Sequence, residues 1–73
     1  MTESYLDFKG LPCPLPLVKL KKALVTQPEV AIFKVVATDK GVLKDLPAFC
    51  KTQNLFCEIL ADKSPFELTI HRT

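Results

Sequence analysis

The sequence predicts an α+β fold, a two-layer α/β sandwich of βαβαββ order, on three observations. A stretch of helical period, with leucines at 17, 20 and 24, opens directly after a proline-rich corner. A run rich in Val, Ile and Phe at 30–37 is too short for a typical helix and reads as a central strand, buried on both sides for part of its length. Two further strand-like runs flank Asp62-Lys63-Ser64-Pro65, whose turn chemistry makes them a hairpin. A four-stranded mixed sheet with two helices on one face follows. The other sheet face is left partly open, and open faces often serve as contact surfaces.

Taken in order, residues 1–4 are a polar lead-in and 5–8 a short strand. Gly10 and Pro12 punctuate the loop that follows. The first helix spans 14–26, with Pro14 at the first helical position and Pro16 in the same turn, where backbone donors are unpaired anyway. Leu17, Leu20 and Leu24 mark its buried face, with Val18 and Val25 beside them, and Lys19, Lys22 and Thr26 mark its wet face. Pro28 stops it. Asp39 is an expected N-cap for a second helix at 40–52, which Pro47 should kink or split. Leu43, Leu46, Phe49 and Cys50 lie on or near one face of that helix. The strands at 56–61 and 66–72 complete the chain. In the last, Phe66, Leu68 and Ile70 point in, and Glu67, Thr69 and His71 point out.

Composition narrows the function. A chain of 73 residues fits a single domain, 1–73, with a thin core that buries only roughly 60% of its unfolded surface. Little volume is left for a deep pocket, so large-cofactor enzymes and multi-site catalysts are not expected. Ten Lys and Arg against eight Asp and Glu give a net charge of +2, too weak to argue for nucleic-acid binding by itself. Residues 1–10 do not read as a signal peptide, and no apolar run approaches the ~20 residues of a membrane span. The expectation is a cytoplasmic protein with no membrane association. Three cysteines, with no C-x-x-C, cannot all pair within the chain.

Cys13 carries the chemistry. It sits at the expected N-cap of the first helix, where the positive end of the helix dipole favours a thiolate and lowers its pKa below about 8.5. Pro14 and Pro16 remove two of the N–H groups that would meet the sulfur, leaving mainly that of Leu15. In return they stiffen the backbone and hold the sulfur outward. The competing reading is a cysteine packed as a small hydrophobe. A Cys-Pro pair can also ligate haem, but the chain offers no convincing pocket and one histidine.

The stretch Gly10-Leu11-Pro12-Cys13-Pro14-Leu15-Pro16, followed by an apolar and basic helix, resembles the CPxP signature of the TusA/SirA family of small sulfur carrier proteins. Thr38-Asp39 and Asp45-Leu46-Pro47-Ala48-Phe49-Cys50 resemble the family's segment after the central strand. The resemblance implies that Cys13 accepts a sulfane sulfur from a cysteine desulfurase, holds it as a persulfide and passes it to a downstream acceptor protein. Thiolation of tRNA wobble uridine is the best-known destination. It implies a sulfurtransferase-like activity with no cofactor, and Pro14 and Pro16 as the structural frame of the site. Two positions depart from the founding member, which has a basic residue before the cysteine and an acidic one inside the motif. Here they are Pro12 and Leu15, so a partner meets a different surface.

Other candidates have plainer readings. Cys50 and Cys57 are expected to pack, Cys57 on one face with Ile59 and Ala61. His71 with the cysteines supplies zinc-ligand types without the close pairs of a structural zinc site, so no metal is expected. Lys19, Lys21 and Lys22 are either a solvated face or a docking face for an acidic partner or for tRNA phosphates. Two other functions stay open beside the carrier: a non-catalytic regulatory or protein-binding module using the open sheet face, and a thiol redox protein cycling Cys13 with a second cysteine.

Overall fold

The computed structural model describes residues 3–72. The element order is β1 (Glu3–Phe8), α1 (Leu15–Thr26), β2 (Ile32–Ala37), α2 (Val42–Thr52), β3 (Phe56–Ala61) and β4 (Phe66–His71). The sheet order is β1-β2-β4-β3, with β1 parallel to β2 and the other pairs antiparallel. The mixed sheet and βαβαββ order are as the sequence predicts. Of the expected lead-in, residues 1 and 2 lie outside the described residues, and Glu3 and Ser4 belong to β1.

Alternation sorts each strand between two faces. Phe8, Phe33, Val35, Ala37, Leu68 and Ile70 turn toward the helices and join Leu20 and Leu46 in one core. On the other face, Tyr5, Lys34, Thr69 and Glu58 form a row across the four strands. Val35, Val36 and Ala37 are all buried, so β2 is covered on both sides over its second half.

Helix α1 is rotated relative to the expectation. Pro16, Leu20 and Ala23 are its buried residues, while Leu17 and Leu24 pack on the flank of the core. Val18 and Val25 are 52% and 78% exposed rather than beside the buried face. At 100° per residue, a buried centre between Pro16, Leu20 and Ala23 puts both valines at the solvent pole. The cause is Pro16, which is fully buried and inserts the first turn into the core.

Helix α2 starts at Val42 with Gly41 as its N-cap, not with Asp39. The backbone carbonyls of Asp39 and Lys40 accept from Val42 and Leu43 at 3.2 Å, forming a turn ahead of the helix. The Asp39 side chain is therefore not the cap, and its Oδ2 is buried without a hydrogen-bond partner. Pro47 does not split α2, which runs unbroken to Thr52. The proline removes one donor, but buried Leu46 and Cys50 flank it, and packing of an apolar face is what holds most helices. The helix closes with Leu55 N–H donating to the Cys50 carbonyl at 2.8 Å around Asn54 at φ 57°.

Two strand expectations change. A register shift between Ile59 and Ala61 sets Ala61 opposite Glu67, on the other face from Cys57 and Ile59. Thr69 does point to the open face, yet it is only 6% exposed, because β4 is an inner strand and Lys34 and Glu58 flank it. Its Oγ1 has no hydrogen-bond partner. A buried unsatisfied hydroxyl costs about 1–3 kcal/mol, and valine has nearly the same shape. Thr69→Val is therefore expected to raise stability by about 1 kcal/mol in a thermal or urea melt. A fall in stability would show that the hydroxyl is satisfied in solution.

Candidate functional site

Because β1 and β2 are parallel neighbours, the loops leaving their C-terminal ends emerge at the same edge of the sheet. That edge is where open α/β sheets place their sites. One loop carries Cys13 and the other leads to Asp45. A direct bond joins them, with Gly10 N–H donating to Thr38 Oγ1 at 2.9 Å. Gly10 sits at φ +83°, a conformation that only glycine adopts at little cost, and this turns the chain toward Cys13.

Cys13 is exposed and stands just ahead of α1. Buried Pro16 anchors the corner from below, while Pro12, Pro14 and Leu15 are exposed around the thiol and give it an apolar rim. The Leu15 N–H expected to meet the sulfur donates instead to the Pro12 carbonyl at 2.9 Å. The thiol's partner comes from α2: Cys13 Sγ donates to Asp45 Oδ2 at 3.2 Å. Gly41 leaves room for the Asp39 carboxylate: a Cβ there would lie 2.9 Å from Asp39 Oδ2, while its 3.8 Å to Cys13 Cβ would be ordinary contact.

This geometry reverses the expected electrostatics. The thiol is held above its usual range, first by the hydrogen bond to Asp45, then by slight desolvation and by the negative charges of Asp45 and Asp39. The helix dipole does not win: Pro14 rather than Cys13 is the N-cap of α1, and the Leu15 N–H is taken by the Pro12 carbonyl. Asp45 is the partner of the thiol that sequence reasoning missed. An acid in the first turn of a helix reads as a partner for the helix dipole, and it lies 32 residues from Cys13.

The two carboxylates and apolar side chains of both helices line a shallow, open depression beside the thiol, with essentially no enclosed space even for a water molecule. Small-molecule pockets run from about 300 Å³ upward, so the site offers a sulfur at a surface rather than an enclosed cavity.

The other cysteines are placed elsewhere. Cys50 is 1% exposed in the core, and Cys57 is half-buried against it. The side-chain interaction with Cys57, then burial, pushes the Cys50 thiol up. The same interaction lowers Cys57, against the opposing effect of burial. Both pack, as expected, and neither is brought to Cys13. Among the described residues, no three of His, Cys, Asp and Glu gather as a metal site. His71 lies instead edge-to-face with the Phe56 ring at 5.5 Å. The three lysines divide. Lys19 and Lys22 project from α1, whereas the Lys21 ammonium lies 5.4 Å from the centre of the Phe49 ring and bridges the helices.

The structure thus defines a small α/β sandwich that presents one exposed thiol at a sheet edge, in a proline corner. Comparison with known proteins gives the family. The family described as Sulfurtransferase TusA matches residues 4–72. The sulfur carrier protein TusA of Allochromatium vinosum is 38% identical over 69 residues, 93% of this chain and 91% of that protein. The sulfur carrier protein TusA of Pseudomonas syringae pv. tomato is 38% identical over 48 residues, 66% of this chain and 57% of that one. The crystal structure of a SirA-like protein from Desulfitobacterium hafniense superposes with a TM-score of 0.79 at 24% identity, covering 93% of this chain and 95% of that one, and shows the same fold. The chain belongs to the TusA/SirA family. Its role is that of a sulfur carrier.

Proposed function

We propose that Cys13 is the carrier residue, loaded by a cysteine desulfurase and unloaded onto the thiol of a downstream acceptor protein. The reaction is Cys13–SH + R–S–SH → Cys13–S–SH + R–SH, where R–S–SH is the persulfide of the donor. The sulfur arrives already in its sulfane state, so the exchange needs no cofactor and no net redox change. The observation that carries the reading is the exposed Cys13 sulfur, fixed by the proline corner at a surface open to a macromolecular partner. Pro14 and Pro16 are the frame, and fully buried Pro16 supports that role. tRNA thiolation through relay proteins is one destination consistent with this chemistry, in a cytoplasmic setting that keeps the cysteines as thiols. Incubation with a cysteine desulfurase, L-cysteine and pyridoxal phosphate should add one sulfur mass to the intact chain. No added mass with active desulfurases would remove the donor assignment.

The partner is expected to approach over α1. Leu15, Val18 and Val25 are exposed on one side of the helix with Lys22, and Lys19 borders them. An apolar patch edged by lysines fits a partner with an acidic rim, or tRNA phosphates in a direct contact. Lys21 is already held by Phe49, so Lys19 and Lys22 are the effective pair. Reversing both charges is expected to slow association with the donor about tenfold or more at low salt and to flatten its salt dependence. Loading from a small persulfide should be unaffected. Unchanged association kinetics would make the lysines a solvated face.

A further inference from the structure

We propose that Asp45 is a catalytic residue of the sulfur exchange, taking the proton from Cys13 as it attacks and returning a proton to the thiolate that leaves. The proposal deepens the carrier reading and rests on it. The carboxylate oxygen Oδ2 lies 3.2 Å from Cys13 Sγ and already accepts the thiol's hydrogen bond, so the proton to be removed points at its acceptor. General bases work at this separation. Among the described residues, no other base contacts the thiol. Besides Cys13, Asp39 and Asp45 are the titratable residues lining the depression, and neither a lysine nor a histidine borders it. Asp45 makes the direct contact, while Asp39 contributes only its charge.

The chemistry needs such a group. The carboxylates hold Cys13 in its neutral form, which is a weak nucleophile. A sulfur that resists being a thiolate is also a poor leaving group when the carried sulfur is passed on. Moving the proton in step with bond exchange solves both problems.

In loading, the Cys13 proton passes to Asp45 and a bond forms from Sγ to the terminal sulfur of R–S–SH. The donor's S–S bond breaks, its electron pair leaves on R–S⁻, and Asp45 returns the proton to give R–SH. In unloading, the acceptor thiol R′–SH gives its proton to Asp45 and attacks the terminal sulfur of Cys13–S–SH. The Cys13 thiolate that leaves then takes the proton back. Atoms, electrons and protons balance in both directions, and the carboxylate ends each cycle as it began.

The test compares wild type with Asp45→Asn and Asp45→Glu, using glutathione persulfide as a small donor. Single-turnover loading is read by intact mass. In parallel, alkylation by neutral iodoacetamide is followed against pH. Removing the carboxylate removes the bond and charge that hold the thiol up. The alkylation midpoint of Asp45→Asn should therefore move to lower pH, and alkylation at pH 7 should speed up. Sulfur loading should nevertheless slow by about 10²–10⁴-fold, the usual worth of general acid–base catalysis. Asp45→Glu should recover most of the loading rate.

Opposite movement of alkylation and loading is the signature, since a purely structural residue would move them together. If loading by Asp45→Asn is unchanged, or speeds up with alkylation, the proposal fails while the carrier reading stands. Thermal melts check that the variants fold. Asp45→Ser, which keeps a polar contact but no base, should show the same split and serves if the asparagine variant does not fold. If wild type takes no sulfur from glutathione persulfide or from a desulfurase, the carrier reading itself fails.

Discussion

Cys13→Ser is expected to abolish sulfur loading, with no added sulfur mass after incubation with desulfurase and L-cysteine. The effect should be all or nothing, because a serine oxygen cannot form a persulfide. Neither remaining cysteine is placed to substitute: Cys50 is enclosed in the core, and Cys57 is half-buried against that core. The substitution is also mild for the fold. The position is exposed, and a serine hydroxyl can still donate to Asp45. Loss of loading should therefore come with a melting temperature close to wild type. Cys50→Ala and Cys57→Ala should load normally while melting lower, through small cavities in or beside the core. Sulfur loading that persists in Cys13→Ser would remove Cys13 from the carrier role and move attention to the Cys50–Cys57 pair.

The largest effect on stability is expected from Arg72→Ala. The Arg72 guanidinium donates to the carbonyls of Val30 at 3.0 Å, Leu24 at 3.3 Å and Gln27 at 2.9 Å, and lies 5.6 Å from the centre of the Phe33 ring. Leu24 and Gln27 belong to the last turn and cap of α1, where carbonyls have no partner within the helix. One side chain thus caps α1 and ties it to the chain entering β2. Truncation should cost about 2–4 kcal/mol, since bonds to a charged donor are strong and the carbonyls left behind are partly buried. For a chain of this length that lowers Tm by roughly 10–20 °C. Arg72→Lys should recover only a fraction, because an ammonium lacks the planar fork that reaches three acceptors. A Tm within about 2 °C of wild type would show that water replaces these bonds at little cost. Sulfur loading at a temperature where the variant is folded should be intact.

Period and punctuation made most elements legible. The alternation of Phe66, Leu68 and Ile70 gave one face of β4, and the two prolines around Cys13 announced an exposed, rigid corner. What escaped depends on contacts between distant segments. The rotation of α1 follows from burial of Pro16, and helical period alone cannot tell that a proline is the residue that goes inward. Thr69 follows the expected alternation and is shielded anyway, because strand order, not strand pattern, decides which row is covered. The helix-dipole argument for Cys13 failed for a similar reason. It weighed the first helix alone, whereas the dominant charge arrives from the second. The missing step was parallel pairing of β1 and β2, which brings both strand-to-helix loops to one edge.

The same pairing has a bearing on how the carrier can be joined to other polypeptides. Glu3 opens β1 beside Ile32, and His71 closes β4 on the other side of that residue. Both ends of the described chain therefore leave from the sheet edge opposite Cys13. Six-residue strands place that edge about 17 Å from the thiol. A fused domain, an affinity tag or a surface tether attached at either end extends away from the reactive sulfur. The fold can be strung into a longer polypeptide, or immobilised on a support, with its thiol still facing outward.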